Sequence, residues 1–149
     1  MIKVQTANFS LEEEVKTMLK KNDNVGAISS FIGIVRNKAK EKDLISMTLE
    51  HYPGMTEKML KKIENEALSR WRLLDSLIIH RHGELFPGEN IVLVITLSKH
   101  RKDAINSCHF LIDWLKTKGP FWKFEKTKNS GHWVEALDSD NLEEQKWNI

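Results

Sequence analysis

The chain has 149 residues, enough for one domain with a core of its own, read as a single unit over 1–149. Hydrophobic residues make up 40% and charged residues 30%, with a net charge of +2, so a disordered chain is excluded and anion binding falls to local clusters of Lys and Arg. Its one cysteine, Cys108, excludes an intrachain disulfide scaffold, and without a signal segment or an apolar run of about 20 residues a cytosolic protein off the membrane is expected.

Residues 10 to 20 predict a helix. Ser10 with Glu13 forms a capping box, and Leu11, Val15, Met18 and Leu19 follow helical spacing up to the turn residues Asn22-Asp23-Asn24. Val25 to Arg36 is apolar and β-branched, hence a buried strand. Asn37 to Asp43 is polar and reads as a surface loop. Ile45, Met47, Leu49 and His51 alternate with polar neighbours and predict a second strand, closed by Pro53-Gly54.

Thr56 to Arg70 predicts a helix with Met59, Leu60, Ile63, Ala67 and Leu68 inward and Lys58, Lys61, Lys62, Glu64 and Glu66 outward. Leu77 to Ile79 begins a strand that runs into His80-Arg81-His82-Gly83-Glu84. Pro87-Gly88 turns the chain into Ile91 to Leu97, apolar on both faces and so central in its sheet, with an antiparallel step across the turn. Lys102 to Lys118 predicts a helix stopped by Gly119-Pro120, where glycine suits a left-handed cap. Phe121 to Lys126 and Trp133 to Glu135 read as strands, and 138–149 as a loose tail or short helix. The order predicts an α+β (mixed α/β) fold with about three helices and a largely antiparallel or mixed sheet.

No phosphate loop, dinucleotide fingerprint, cysteine pair or hydrolase elbow is present. Chemistry must come from isolated side chains that the fold assembles. His80 and His82 share one strand face, as a metal pair would, but no third ligand stands at a useful spacing. Cys108 lies on the apolar face of its helix, where a thiol is packing. Ser98-Lys99-His100-Arg101-Lys102 lies between a strand end and a helix start, which suits either an anion or a solvated loop. Lys116 and Lys123 flank the Gly119-Pro120 break, so the bend can turn both ammonium groups into one pocket, with Phe121 and Trp122 either walling it or anchoring the bend; two solvated surface lysines are the alternative. Arg36, at a strand end, has the planar fork that suits a phosphate or carboxylate. The residues alone thus predict an anion pocket built from strand and helix ends, without a metal or other cofactor.

Several long motifs go further. Phe31 to Asn37 (FIGIVRN), Glu50 to Met55 (EHYPGM), His80 to Leu85 (HRHGEL), Pro87 to Glu89, Leu115 to Lys123 (LKTKGPFWK) and Trp133 to Ala136 (WVEA) together resemble the large, catalytic subunit family of molybdopterin synthase. The resemblance implies an α/β-hammerhead fold and a homodimer within a heterotetramer. It also implies a small ubiquitin-like partner, whose C-terminal Gly-Gly thiocarboxylate gives its sulfur to cyclic pyranopterin monophosphate. Lys116 and Lys123 are then the catalytic candidates. His100, Arg101, Arg36, Ile34, Val35, Phe124 and Glu125 bind substrate. Lys116 takes the acid/base or covalent part, and Lys123 orients the substrate and tail carbonyl. The chain carries Leu137 where the family places an arginine after W-V-E-A. A scaffold that docks the partner without chemistry is the alternative; near-balanced charge argues against a nucleic-acid binder.

Overall fold

The computed structural model describes residues 1–135 and 138–147. The chain opens with β1 (Ile2–Gln5), α1 (Leu11–Lys21), β2 (Ala27–Ile34), β3 (Lys38–Ala39) and β4 (Lys42–His51). It continues through α2 (Met55–Arg70), β5 (Leu73–Arg81), β6 (Gly83–Leu85) and β7 (Asn90–Ser98). It ends with α3 (Arg101–Lys118), β8 (Phe121–Thr127), β9 (Gly131–Trp133) and α4 (Asp138–Gln145). Four strands form one sheet in the order β1-β5-β7-β2, and a second sheet runs β3-β4-β8-β9 with β6 on β4. Among the described residues only the β1–β5 pair is parallel, so the architecture is α+β with mixed sheets.

β7 sits between β5 and β2, as its two apolar faces require. Leu93, Ile95 and Leu97 pack with Leu77 and Ile79 against Met18 of α1. Val92 and Val94 face the other way, into the larger core with Ile78, Ile63, Cys108 and Leu111. That core also takes Met47, Leu49 and Leu85 from the second sheet, so α2 and α3 close over a space bounded by both sheets. Among the described residues no helix is long and apolar enough to cross a membrane.

Several elements depart from the expected pattern. β1 was not predicted: four residues make too short a pattern to detect, and they become a strand by pairing with Ile78–Arg81. The expected loop over 37–43 is a hairpin whose turn residues, Lys40 and Glu41, both take positive φ (48° and 65°). β4 pairs irregularly between Leu44 and Ser46, so Leu44 and Met47 both point inward and Ile45 is left exposed. Glu64, assigned to the wet face of its helix, is 1% exposed. Its carboxylate accepts from Lys61 Nζ (2.7 Å), Ser76 Oγ (2.7 Å) and the Met1 amino group. The described part of the tail contains α4, bringing the helices to four.

Gly119 is not left-handed; its φ is −58°. Glycine is needed there for closeness instead, since a Cβ would lie 2.3 Å from the Leu115 carbonyl oxygen. Gly119→Ala is therefore expected to cost about 1–3 kcal/mol through backbone displacement, measured by denaturant unfolding. An unchanged midpoint would mean that the bend has slack.

Candidate active site

The last turn of α3 carries Lys116, and the chain then leaves the helix at Gly119. Pro120 is buried at the bend and Phe121 begins β8. Along a strand every second side chain shares a face. Phe121, Lys123 and Glu125 thus look into one cleft, which α3 borders through Leu115, Lys116 and Thr117. Arg36, just past β2, and Lys40, in the β3–β4 turn, approach from another side. Trp133, Val134, Glu135 and Asp140 complete the walls of a cavity of about 590 Å³.

Four cations, Arg36, Lys40, Lys116 and Lys123, meet three carboxylates, Glu125, Glu135 and Asp140. Glu125 Oε2 lies 3.3 Å from His132 Nε2, its cross-strand neighbour. The positive groups are therefore only partly neutralised by the protein. Burial, joined by the charge of Lys116, pulls the Lys123 pKa down to about 8, while Asp140 and Glu125 oppose that shift. At pH 7 about a tenth of Lys123 is then amine, far more than in an ordinary lysine, and an accessible amine form is the condition for a lysine to exchange protons. Lys116 is exposed at the cleft.

Of the residues singled out from sequence, the fold brings together Arg36, Lys116, Lys123 and Glu125. It does not bring in the others within one chain. Val35 is 1% exposed, and its backbone is occupied by Glu89 O and Gly88 N. Ile34 is exposed on β2 outside the cleft. Phe124 points to the opposite face of β8, against Trp133 at 5.1 Å between ring centroids. His100 and Arg101 begin α3 whereas Lys116 is near its end, about 22 Å away at about 1.5 Å per residue. Leu137 lies outside the described residues.

Of the two aromatics expected beside the lysines, Phe121 lines the cleft, whereas Trp122 is exposed outside it. The sequence reading missed Glu135, Asp140, His132 and Lys40 as lining groups, and took His80 only as a metal candidate. The period-two face of β8 separates Phe121 from its neighbour Trp122. His80 and His82 do not share a metal geometry. The His80 ring stacks on Phe121, while His82 lies against His51 at 4.5 Å between centroids. Among the described residues the one group with metal-ligand spacing is His109, Asp113 and Glu143, away from the cleft. Lys146 Nζ lies 3.3 Å from His109 Nε2 and 3.7 Å from Asp113, so a cation already fills that group.

A family model described as MoaE protein matches residues 4–118. The molybdopterin synthase catalytic subunit of Pseudomonas aeruginosa is 46% identical over 146 residues, covering 98% of this chain and 97% of that one. A solved MoaE protein from Burkholderia ambifaria superposes with a TM-score of 0.86 at 44% identity, covering 100% of this chain and 98% of that one. Molybdopterin synthase from Staphylococcus aureus superposes at 0.81 with 28% identity, covering 89% and 95%.

Lys123 gives the cleft a pH dependence. As pH rises through about 8 the ammonium is lost and anion affinity falls. Sulfate keeps its charge over this range and isolates the effect. Titration calorimetry is expected to show about fivefold weaker sulfate binding above the transition, roughly 1 kcal/mol for one partly screened charge. Lys123→Arg is expected to remove the step, since guanidinium stays charged; a step that survives would assign the titration to another group.

Proposed function

Because the chain belongs to the MoaE protein family, we propose that it is the catalytic subunit of molybdopterin synthase, moving sulfur from a thiocarboxylated small subunit to cyclic pyranopterin monophosphate. One observation carries the reading to residues: the bend at Gly119-Pro120 turns Lys116 and Lys123 into the same cleft as Arg36. The substrate phosphate and the partner's carboxylate tail are both anions, so a site that holds them together needs cations to offset their repulsion. The transfer passes through acyl intermediates whose developing negative charge fixed donors stabilise. Lys116 sits at the reacting groups as acid/base or covalent participant. Lys123 binds the tail carbonyl or phosphate as an ammonium and exchanges a proton through its amine form. A thiocarboxylate survives in a reducing compartment, which fits the cytoplasm. Convergence of both lysines disfavours the scaffold reading.

We infer that a second copy brings His100 and Arg101 to the cleft. β2 is an edge strand with Ile28, Phe31 and Ile34 exposed along it, and a free apolar edge invites pairing. Two copies joined along β2 by a two-fold axis run antiparallel. The Ala27 end of one then lies beside the Ile34 end of the other. Ala27 pairs with Ser98, two residues before His100, and Arg36 follows Ile34 by two. His100 and Arg101 of each copy therefore approach the Arg36 side of the other copy's cleft, as substrate-binding groups supplied across the dimer.

Single-turnover assays with thiocarboxylated small subunit and cyclic pyranopterin monophosphate test both parts. Wild type is expected to give molybdopterin. Lys116→Ala and Lys123→Ala are expected to lose at least about a hundredfold in rate, the usual scale of lost acid–base help. Full activity in Lys116→Ala would sink the assignment. Mixed dimers of Lys116→Ala and Arg101→Ala chains are expected to regain activity in one of their two clefts; mixtures as inactive as the parents would mean that each cleft uses its own Arg101.

A further inference from the structure

His80 lines the cleft but has no part in the chemistry above. It is only 4% exposed, and its ring lies flat on Phe121 with centroids 3.5 Å apart and planes 10° from parallel. Its Nδ1 is 2.8 Å from the Arg81 carbonyl oxygen. A carbonyl only accepts, so Nδ1 carries the proton and Nε2 is left as a bare lone pair. Burial, above all, pulls the imidazole pKa down to about 3; the Arg81 bond opposes this, and the charges of Lys123, His51 and His82 add to it. The ring therefore stays neutral beside an ammonium. Among the described residues nothing donates to Nε2, and no buried polar side-chain atom is enclosed without a partner. Nε2 thus opens on the cleft that the residue lines.

We propose that His80 is a substrate-binding and specificity-determining residue. Its Nε2 accepts a hydrogen bond from a ring N–H of the nitrogen heterocycle whose phosphate Arg36, Lys116 and Lys123 hold. The proposal rests on the sulfur-transfer reading. The other acceptors facing the cleft include Glu125, Glu135 and Asp140, all carboxylates. A carboxylate that reads an N–H also repels the phosphate of the same ligand, whereas a neutral imidazole reads it without adding negative charge. Two contacts fix the ring before substrate arrives, the stack on Phe121 and the Arg81 carbonyl, so little entropy is lost on binding. A fixed acceptor also rejects a heterocycle that presents an oxygen or bare nitrogen at that point, because two lone pairs would face each other.

The test uses the large subunit in complex with small subunit ending in an ordinary carboxylate, so that binding is read without turnover. Calorimetry with cyclic pyranopterin monophosphate is expected to show about tenfold weaker binding for His80→Phe, which keeps the stack but removes the acceptor. Sulfate affinity is expected to stay as in wild type, and His80→Gln, whose amide oxygen replaces Nε2, to recover part of the loss. Substrate bound by His80→Phe as tightly as by wild type overturns the proposal. If that variant does not fold, nitrogen-15 NMR of histidine-labelled wild type decides. The His80 Nε2 signal moves toward its hydrogen-bonded position with substrate and not with sulfate, and a signal that stays put with substrate overturns the proposal. A wild type that neither binds nor converts substrate brings down the sulfur-transfer reading and this one with it. An active wild type with an unimpaired His80→Phe brings down this one alone.

Discussion

At position 119 a Cβ would sit 2.3 Å from the Leu115 carbonyl oxygen, closer than any side chain is tolerated. A residue without a Cβ lets α3 stop at Lys118, two residues past Lys116, and lets the chain reverse at once into β8. The reversal buries Pro120 and delivers Phe121 onto the His80 ring. β8 then pairs with β4 from His51 to Leu44, and that register fixes which of its side chains look into the cleft. A longer connection would let β8 slip by a residue, and a slip of one exchanges Lys123 for Trp122 or Phe124. The two lysines are seven residues apart, and their convergence follows from a turn that only glycine allows.

The same turn creates an electrostatic problem. Bringing Lys123 inward removes it from water beside Lys116, and its proton is loosened until the pKa is about 8. Asp140 and Glu125 counter the effect, and without them the lysine would be neutral at lower pH still. At such a pKa both forms of one side chain are accessible: the ammonium that attracts an anion and the amine that can take a proton. The net charge of the chain, +2, has little bearing on this, because the effective field is that of a few groups in one cleft.

The parts of the fold legible in sequence are those governed by near neighbours. Ser10 caps α1 by accepting from Glu13 N, and β7 is central because both its faces are apolar. The expected helices over 56–70 and 102–118 match α2 and α3 to within a residue at each end. What was illegible depends on distant partners. β1 exists because β5 offers it an edge. Glu64 is inward because Ser76, on another element, gives it a partner, while helical periodicity alone left it wet. In the cleft, Lys116, Lys123 and Arg36, from the motifs, and Glu125, from the resemblance, were legible as lining groups, and the lining by Asp140 and His132 was not. His100 and Arg101 show the limit most clearly. The resemblance groups them with residues at the far end of the same helix, and no arrangement of a single rigid helix of about 27 Å can do so.

The C-terminal segment has its own part in the cleft. Trp147 donates to Asp113 Oδ2 at 2.6 Å, sets its ring edge-on to Phe110, and its carbonyl accepts from Arg70 at 2.5 Å. Lys118 reaches Glu144 at 2.7 Å, and Lys146 lies among His109, Asp113 and Glu143. These contacts hold α4 across the end of α3, and Asp140, earlier on the same helix, is thereby held at the cleft. Asp140 is the larger of the two charges opposing the loss of the Lys123 proton, ahead of Glu125. The clasp around Trp147 therefore bears on the cleft indirectly: it holds the helix that carries Asp140, whose charge favours the Lys123 ammonium. A group with metal-like spacing serves here as a latch, with the Lys146 ammonium in the place an ion would take.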